Sequence, residues 1–163
     1  DFTADINTDV DTFANDGYQN IIGWEVGLEL KPTDKTRLNL GVAYAKHDGV
    51  FRKKKNVDGS LEYLESDKTT PKYIYSALLI QKLDSQTEFS AGYYKQSNAA
   101  LFGGDETGGY STADLRLSRG FKMQGGKGKV EFVLQNAFGE YFDFYEEFIS
   151  EKRALISVSV DFD

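Results

Sequence analysis

Near its end the chain reads Arg153-Ala154-Leu155-Ile156-Ser157-Val158-Ser159-Val160-Asp161-Phe162. Ala154, Ile156, Val158, Val160 and Phe162 share one parity; Arg153, Ser157, Ser159 and Asp161 share the other. Successive side chains of a strand point to opposite faces, so this alternation predicts a strand with one apolar and one polar face. Period two accounts for it better than the 3.6-residue period of a helix.

The same pattern recurs upstream. Val130, Phe132 and Leu134 oppose Glu131 and Gln135, and Ala113, Leu115, Leu117 and Phe121 oppose Asp114, Arg116 and Ser118. Phe89, Ala91 and Tyr93 oppose Glu88, Ser90, Gly92 and Tyr94. Between Thr36 and Lys46, Leu38, Leu40, Val42 and Tyr44 alternate with Arg37, Asn39, Gly41, Ala43 and Ala45. In Gly23 to Lys31, Trp24, Val26, Leu28 and Leu30 oppose Glu25, Gly27 and Glu29. Tyr73 to Leu83 is less regular, because Leu78 and Ile80 intrude on the face opposite Tyr73, Tyr75, Ala77 and Leu79. About seven strands result, and Phe2, Ala4 and Ile6 offer the end of an eighth.

The connections alternate in length. Pro32 to Lys35, Asp84 to Gln86 and Gln124 to Gly128 are short; Asp48 to Thr70, Ser97 to Gly109 and Gly139 to Glu151 are long. Strict alternation is the pattern of an outer-membrane barrel, with tight periplasmic turns and large extracellular loops. A soluble β-sandwich has no reason to keep it. The last strand leaves a long connection, which puts the C-terminus on the periplasmic side.

Composition agrees. The 163 residues are 40% hydrophobic and 28% charged, with a mean hydropathy of -0.48. No run approaches the roughly 18 apolar residues of a membrane helix. A barrel strand averages to neutral and escapes such a scan. Twelve Phe, ten Tyr and 16 Gly against two Pro suit strands and turns. A net charge of -7 argues against nucleic acid as a partner. With no cysteine, thiol catalysis, disulfides and Cys-ligated metals are excluded. No signal peptide opens the chain, which is expected to be a mature form or a piece of a longer one.

The polar parity carries Glu25, Glu29, Arg37, Glu88, Asp114, Arg116, Glu131 and Asp161. Both signs are mixed, as on a wet lumen wall where opposite charges pair across strands. Trp24, Tyr44, Tyr73, Tyr75, Tyr93, Phe121, Phe138 and Phe162 sit on the apolar parity near strand ends, as in an aromatic girdle at a membrane interface. Periodicity does not say which face is inside, so a soluble sheet with a solvated polar face remains open.

Ala113-Asp114-Leu115-Arg116-Leu117, then Val133-Leu134-Gln135-Asn136-Ala137-Phe138-Gly139, then Arg153 to Phe162 resemble the C-terminal end of TonB-dependent receptors. Tyr141-Phe142-Asp143-Phe144 and the strand Gly23 to Leu30 with Lys31-Pro32 are similar to further segments of that family. The resemblance covers most of the chain. It implies an antiparallel up-and-down transmembrane barrel of about 22 strands with an N-terminal plug. This chain would be roughly its last third, 1-163, with no segment resembling the plug.

The resemblance further implies uptake of a scarce nutrient, such as a ferric siderophore, haem or cobalamin, at the outer membrane of a Gram-negative bacterium. Expected partners are outer-membrane lipid and lipopolysaccharide, the rest of the barrel and its plug, TonB through that plug, and the barrel-assembly machinery. Phe162 would be the assembly signal, although the family usually ends on the aromatic and Asp163 follows here. Two alternatives stay open: a small eight-stranded outer-membrane barrel with a structural or minor pore role, and a soluble lipocalin-like binding protein.

Neither an enzyme nor a cofactor is expected. His47 is the sole histidine. It lies on the polar parity beside Asp48 and cannot alone build a two-His zinc site. Gly103-Gly104 and Gly125-Gly126 read as turns, since neither opens a helix after a strand. Arg52-Lys53-Lys54-Lys55 suits lipopolysaccharide phosphates or a solvated loop. Asp105-Glu106 and Glu146-Glu147 suit a cationic ligand or, again, solvent. Arg52, Tyr63, Phe102, Tyr141 and Tyr145 are the candidates for ligand contact, chosen by position and residue type.

Overall fold

The alternating stretches become strands that pair with their neighbours in sequence. In a computed structural model they are β1 (Tyr18–Thr33), β2 (Thr36–Lys55), β3 (Leu61–Glu65), β4 (Tyr73–Lys82), β5 (Thr87–Gln96), β6 (Ala99–Ala100), β7 (Glu106–Thr107), β8 (Tyr110–Met123), β9 (Gly126–Gln135), β10 (Tyr141–Phe142), β11 (Ile149–Ser150) and β12 (Arg153–Phe162). The structure describes residues 18–55, 59, 61–65, 70–100, 106–142 and 149–162; for 50–55, 61–65, 100, 106–107 and 142 it describes the backbone alone. Phe2, Ala4 and Ile6 lie outside the described residues.

The main sheet is an antiparallel meander in the order β1-β2-β4-β5-β8-β9-β12, with β3 paired to β2 off that path. Seven strands on the path match the number read from sequence. The sheet is open among the described residues: β1 and β12 each lack a second neighbour. Small two-stranded pairings, β6 with β7 and β10 with β11, sit in the second and third long connections.

Several boundaries move. Strand β1 starts at Tyr18, ahead of Gly23, and continues through Pro32 to Thr33, because its ladder with β2 extends from Tyr18↔Val50 to Thr33↔Thr36. As the first strand of the order, it has a free edge on which a proline costs no ladder bond. Strand β2 runs past Lys46 to Lys55, and β3 pairs back on it, so the first long connection is largely a hairpin. Strand β9 starts at Gly126, which leaves Gln124-Gly125 as a two-residue turn. Gly125 there has φ 79°, a conformation a side chain would strain. In the β4–β5 turn, Asp84 Oδ1 accepts the backbone N–H groups of Gln86 and Thr87, each at 2.7 Å.

Register turns separate alternations into two continuous faces. Trp24, Tyr44 and Tyr73 form one row across β1, β2 and β4. Phe89, Leu117, Phe132 and Ile156 form another across β5, β8, β9 and β12. All belong to the apolar face. The opposite face carries most of the charged residues, with Leu78 intruding opposite Asn39 and Gly92; Lys46, Lys95 and Arg119 fall on the apolar parity.

Burial differs between the two faces of the inner strands. Among the described residues the buried polar side chains are His47, Gln96, Ser118 and Asn136. Large apolar residues of the apolar face are exposed on inner strands, Leu40, Tyr75, Leu117 and Phe132 among them, while the edge strands β1 and β12 are exposed on both faces. Hydrophobic collapse in water would bury these groups first. No helix of the described residues is long and apolar enough to cross a membrane, which says nothing of strands.

Aromatic residues gather at both ends of the apolar face. At the end with long connections, Trp24 stacks on Tyr44 (5.9 Å), Tyr44 meets Tyr73 (5.2 Å) and Tyr73 stacks on Tyr75 (6.3 Å). The Lys72 ammonium lies 5.9 and 5.8 Å from the Tyr44 and Tyr73 ring centres. Tyr93 meets Phe138 edge-on. At the short-turn end stand Phe121, which covers Gly128 on the neighbouring strand, and Phe162.

Candidate functional site

The polar face is where this chain can do chemistry. Glu25, Glu29, Arg37, Glu88, Asp114, Arg116, Glu131 and Asp161 all fall on it, because the ladders keep parity from β1 to β12. Within a strand this follows from alternation. Which of them meet is decided by register.

Glu88, Ser118, Glu131 and Ser157 share a row across β5, β8, β9 and β12. Arg116, two residues before Ser118, donates to Glu88 Oε1 at 3.1 Å and to Glu131 Oε1. Lys129 Nζ lies 3.0 Å from the same Glu131 oxygen. One guanidinium therefore bridges two carboxylates on opposite neighbouring strands. Its planar fork serves two acceptors at once, which an ammonium on a flexible stem does less well. The network locks the pairing of β5, β8 and β9; a one-residue slip would put Arg116 on the apolar face.

The end with long connections is aromatic and amide-rich. Tyr110 stacks on Tyr141 with ring centres 4.2 Å apart and planes 14° apart, and Tyr94 tilts against Tyr110 at 5.9 Å. The Tyr94 hydroxyl donates to Gln96 Oε1 at 3.0 Å. Gln96 is buried and stands opposite Tyr110 in the ladder. Tyr141 belongs to β10, so the stack draws the base of the third long connection over the polar face.

Asn136 fixes that connection. It follows β9 with φ 52°, a left-handed conformation that Asn tolerates better than most residues. Its N–H donates to Asp114 Oδ1 at 2.8 Å, and its Oδ1 accepts the Thr112 hydroxyl at 3.2 Å. Its Nδ2 donates to the Ser150 carbonyl at 2.7 Å. One buried side chain thus ties β8, the end of β9 and β11 together. The separate sequence segments around Asp114 and Asn136 are halves of one hydrogen-bonded corner.

The remaining sequence candidates divide. Arg52 and Tyr63 are register partners in the β2–β3 hairpin. Phe102 and Tyr145 lie outside the described residues, as do Gly103-Gly104, Asp105, Glu146 and Glu147. Phe162 closes β12 on the apolar face. His47 is buried on the polar face, and Gln19 Nε2 donates to its Nδ1 at 2.9 Å. No serine is its hydrogen-bond partner among the described residues, and no group of three His, Cys, Asp or Glu there is placed to hold a metal ion.

Tyr94, Tyr110 and Gln96 were not singled out as site residues by sequence reasoning, and Asn136 entered it only within the Val133 to Gly139 segment of the resemblance. A signal existed for the two tyrosines: each has polar parity within four residues of a long connection. Their meeting depends on register, and the Asn136 corner depends on a backbone conformation that parity does not report. No family model, curated protein or solved structure matches the chain.

Proposed function

We propose that this chain is part of the wall of an outer-membrane β-barrel, in a TonB-dependent receptor that takes up a scarce nutrient. The observation carrying this reading is the continuous exposed apolar face set against a polar face with buried polar groups. Exposed apolar patches on soluble monomers rarely exceed a few hundred Å². Here the face crosses seven strands, and water is a poor solvent for it. In lipid the same face needs no cover.

Its height suits a bilayer. The alternating run Ala154–Phe162 covers nine residues, within the roughly 9–11 that a tilted strand uses to cross the hydrocarbon core. Aromatic clusters at both ends correspond to the two interfaces. On this reading the long connections face outward and the short turns face the periplasm. The free edges of β1 and β12 are continued by further strands of one closed wall, since unpaired backbone groups in lipid cost several kcal/mol each. Barrel-assembly machinery would insert that wall beside lipopolysaccharide, and a plug with a TonB contact would fill it.

The Tyr94–Tyr110–Tyr141 cluster with Gln96 is the part of the polar face best suited to hold a ligand. Stacked rings offer flat apolar contact, and amides beside them offer directional hydrogen bonds. Transport without covalent change is the role these groups fit.

The test is refolding of the whole receptor with and without detergent. A membrane wall folds only with detergent or lipid and migrates differently on gels before and after boiling. A monodisperse folded monomer in plain buffer would overturn the proposal. In cells, uptake through the receptor should fall to background both in a TonB-deficient strain and on deletion of this segment.

A further inference from the structure

Three lysines gather on the apolar side of the sheet at its long-connection end. Lys46 follows Tyr44 by two residues on β2 and stands opposite Ile22. Lys95 follows Tyr93 by two residues on β5 and stands opposite Tyr75. Lys72, just ahead of β4, is held beside β2 by its carbonyl, which accepts the Ala45 N–H at 3.1 Å. Its ammonium lies 5.9 and 5.8 Å from the ring centres of Tyr44 and Tyr73, both on the apolar face. All three lysines are exposed, and among the described residues none has a carboxylate within ion-pair distance. Asp48 is the one carboxylate on the apolar parity of β2, β4 and β5 among the described residues, so the patch keeps a positive excess.

A cation on the lipid side of a barrel is costly at mid-membrane and tolerated near an interface. There its stem lies along apolar surface and its ammonium reaches the headgroups. The three lysines sit at such a place, beside Tyr44, Tyr73 and Tyr75, but at one end alone. At the short-turn end the same side of β2, β4 and β5 shows Thr36, Gln81 and Thr87. Arg119 on β8 is the one cation of the apolar parity at that end among the described residues. A requirement common to both interfaces would not give this bias.

We propose that Lys46, Lys72 and Lys95 bind the phosphate of a phosphorylated lipid in the leaflet at the long-connection end. The site rests on the proposed membrane reading, in which the apolar face meets lipid. The lipid's acyl chains run from the lysines along Val42, Leu40 and Ala77, which continue the same face toward mid-membrane. A free phosphate would use the cations and leave that track unused. β2 and β5 are two strand spacings apart, about 10 Å at ~4.8 Å each. Lysines on flexible four-carbon stems can close that span around one headgroup. Tyr73 and Tyr75, 37% and 41% exposed, stand between them with hydroxyls able to donate to phosphate oxygens.

The experiment places the whole receptor in phosphatidylcholine nanodiscs with increasing fractions of dioleoyl phosphatidic acid. Lysines are acetylated by a water-soluble reagent, and the rate at each is read by mass spectrometry. Acetylation of Lys46, Lys72 and Lys95 should slow several-fold and saturate as phosphatidic acid rises. Lys152, at the same end beside β12, should change little. In Lys46→Gln/Lys95→Gln, the phosphatidic acid fraction that half-protects Lys72 should rise roughly 25-fold, about fivefold for each lysine removed. Should that variant fail to fold, Lys46→Gln alone replaces it, with about a fivefold rise. An unchanged fraction overturns the proposal. So does equal slowing at Lys152, which would report surface charge alone. Equal protection by glycerol 3-phosphate in pure phosphatidylcholine overturns it in favour of a small-anion site. A receptor that inserts in nanodiscs yet leaves the three lysines fully reactive refutes this inference alone, whereas one that folds as a monodisperse monomer without detergent refutes the membrane reading.

Discussion

Val158→Arg separates a lipid-facing wall from a solvated sheet. Val158 lies on the apolar face of β12, opposite Val130, and is 63% exposed. It lies four positions from each end of the run Ala154–Phe162, about 14 Å along the strand at ~3.4 Å per residue. On the proposed reading that is the middle of the bilayer, where arginine on a barrel's lipid face costs about 2–4 kcal/mol. At ~1.4 kcal/mol per factor of ten, the folding equilibrium should drop roughly 30- to 1000-fold. If the face met water, the same change at an exposed site should stay within about 0.5 kcal/mol. Ser157→Arg, one residue away, is the internal control. Its side chain emerges on the polar face, where the Ser157 hydroxyl approaches Glu131 Oε2 at 3.4 Å, so arginine there gains a carboxylate neighbour. The assay is reversible urea unfolding from lipid vesicles, followed by the fluorescence of Trp24, the sole tryptophan. Equal tolerance of the two substitutions refutes the face assignment, and with it the membrane proposal.

Three further outcomes follow from the sites described. Asn136→Ala removes a buried side chain with two hydrogen-bonding partners and places alanine at φ 52°; a loss of about 2–3 kcal/mol is expected in the urea midpoint, and Asn136→Gly should recover part of it by relieving the backbone. Tyr141→Ser breaks the 4.2 Å stack on Tyr110, worth about 0.5–1.5 kcal/mol; it should raise the rate of proteolytic cleavage between residues 139 and 152 several-fold while strand content measured by circular dichroism stays unchanged. Asp84 lies outside the proposed membrane span, and hydrogen bonds from Gln86 and then Thr87 hold its carboxyl below the usual carboxylate range. The unfolded chain therefore takes up the proton first as pH falls. The turn's contribution is complete above the ordinary value of ~3.9 and is lost as pH drops through the lowered one. Amide resonances of Gln86 and Thr87 should titrate only below that ordinary value; a midpoint at or above it contradicts the assignment, and Asp84→Asn should abolish the titration.

The charge network and the Asn136 corner play different parts in the wall. Glu88, Arg116, Glu131 and Lys129 are partly exposed, and solvent screening limits what such pairs add to stability. Their geometry serves pairing: Arg116 reaches Glu88 on one side and Glu131 on the other only in the observed register. Asn136 is buried and nearly saturated with partners, so its loss is felt as stability.

Strands and their two faces could be read directly from runs such as Ala154–Phe162, because side-chain alternation is a property of each strand's own covalent geometry. The connection lengths were legible for the same local reason, within a few residues at Pro32 and Gly126. The extension of β2 to Lys55 was not, since the loop between Asp48 and Thr70 carries no clean alternation and becomes a hairpin only through its pairing with β3. Nor could parity tell that Arg116 bridges Glu88 and Glu131, or that Tyr110 meets Tyr141, because residues 15, 28 or 31 positions apart become neighbours only once ladder register is set. Which face is covered was likewise undecidable from alternation, a pattern that reads the same with either face inward. Assembly of seven strands distinguishes the faces on the inner strands, where Gln96 and Ser118 are buried while Leu117 and Phe132 stay exposed, since burial belongs to the assembled surface and no single strand possesses it.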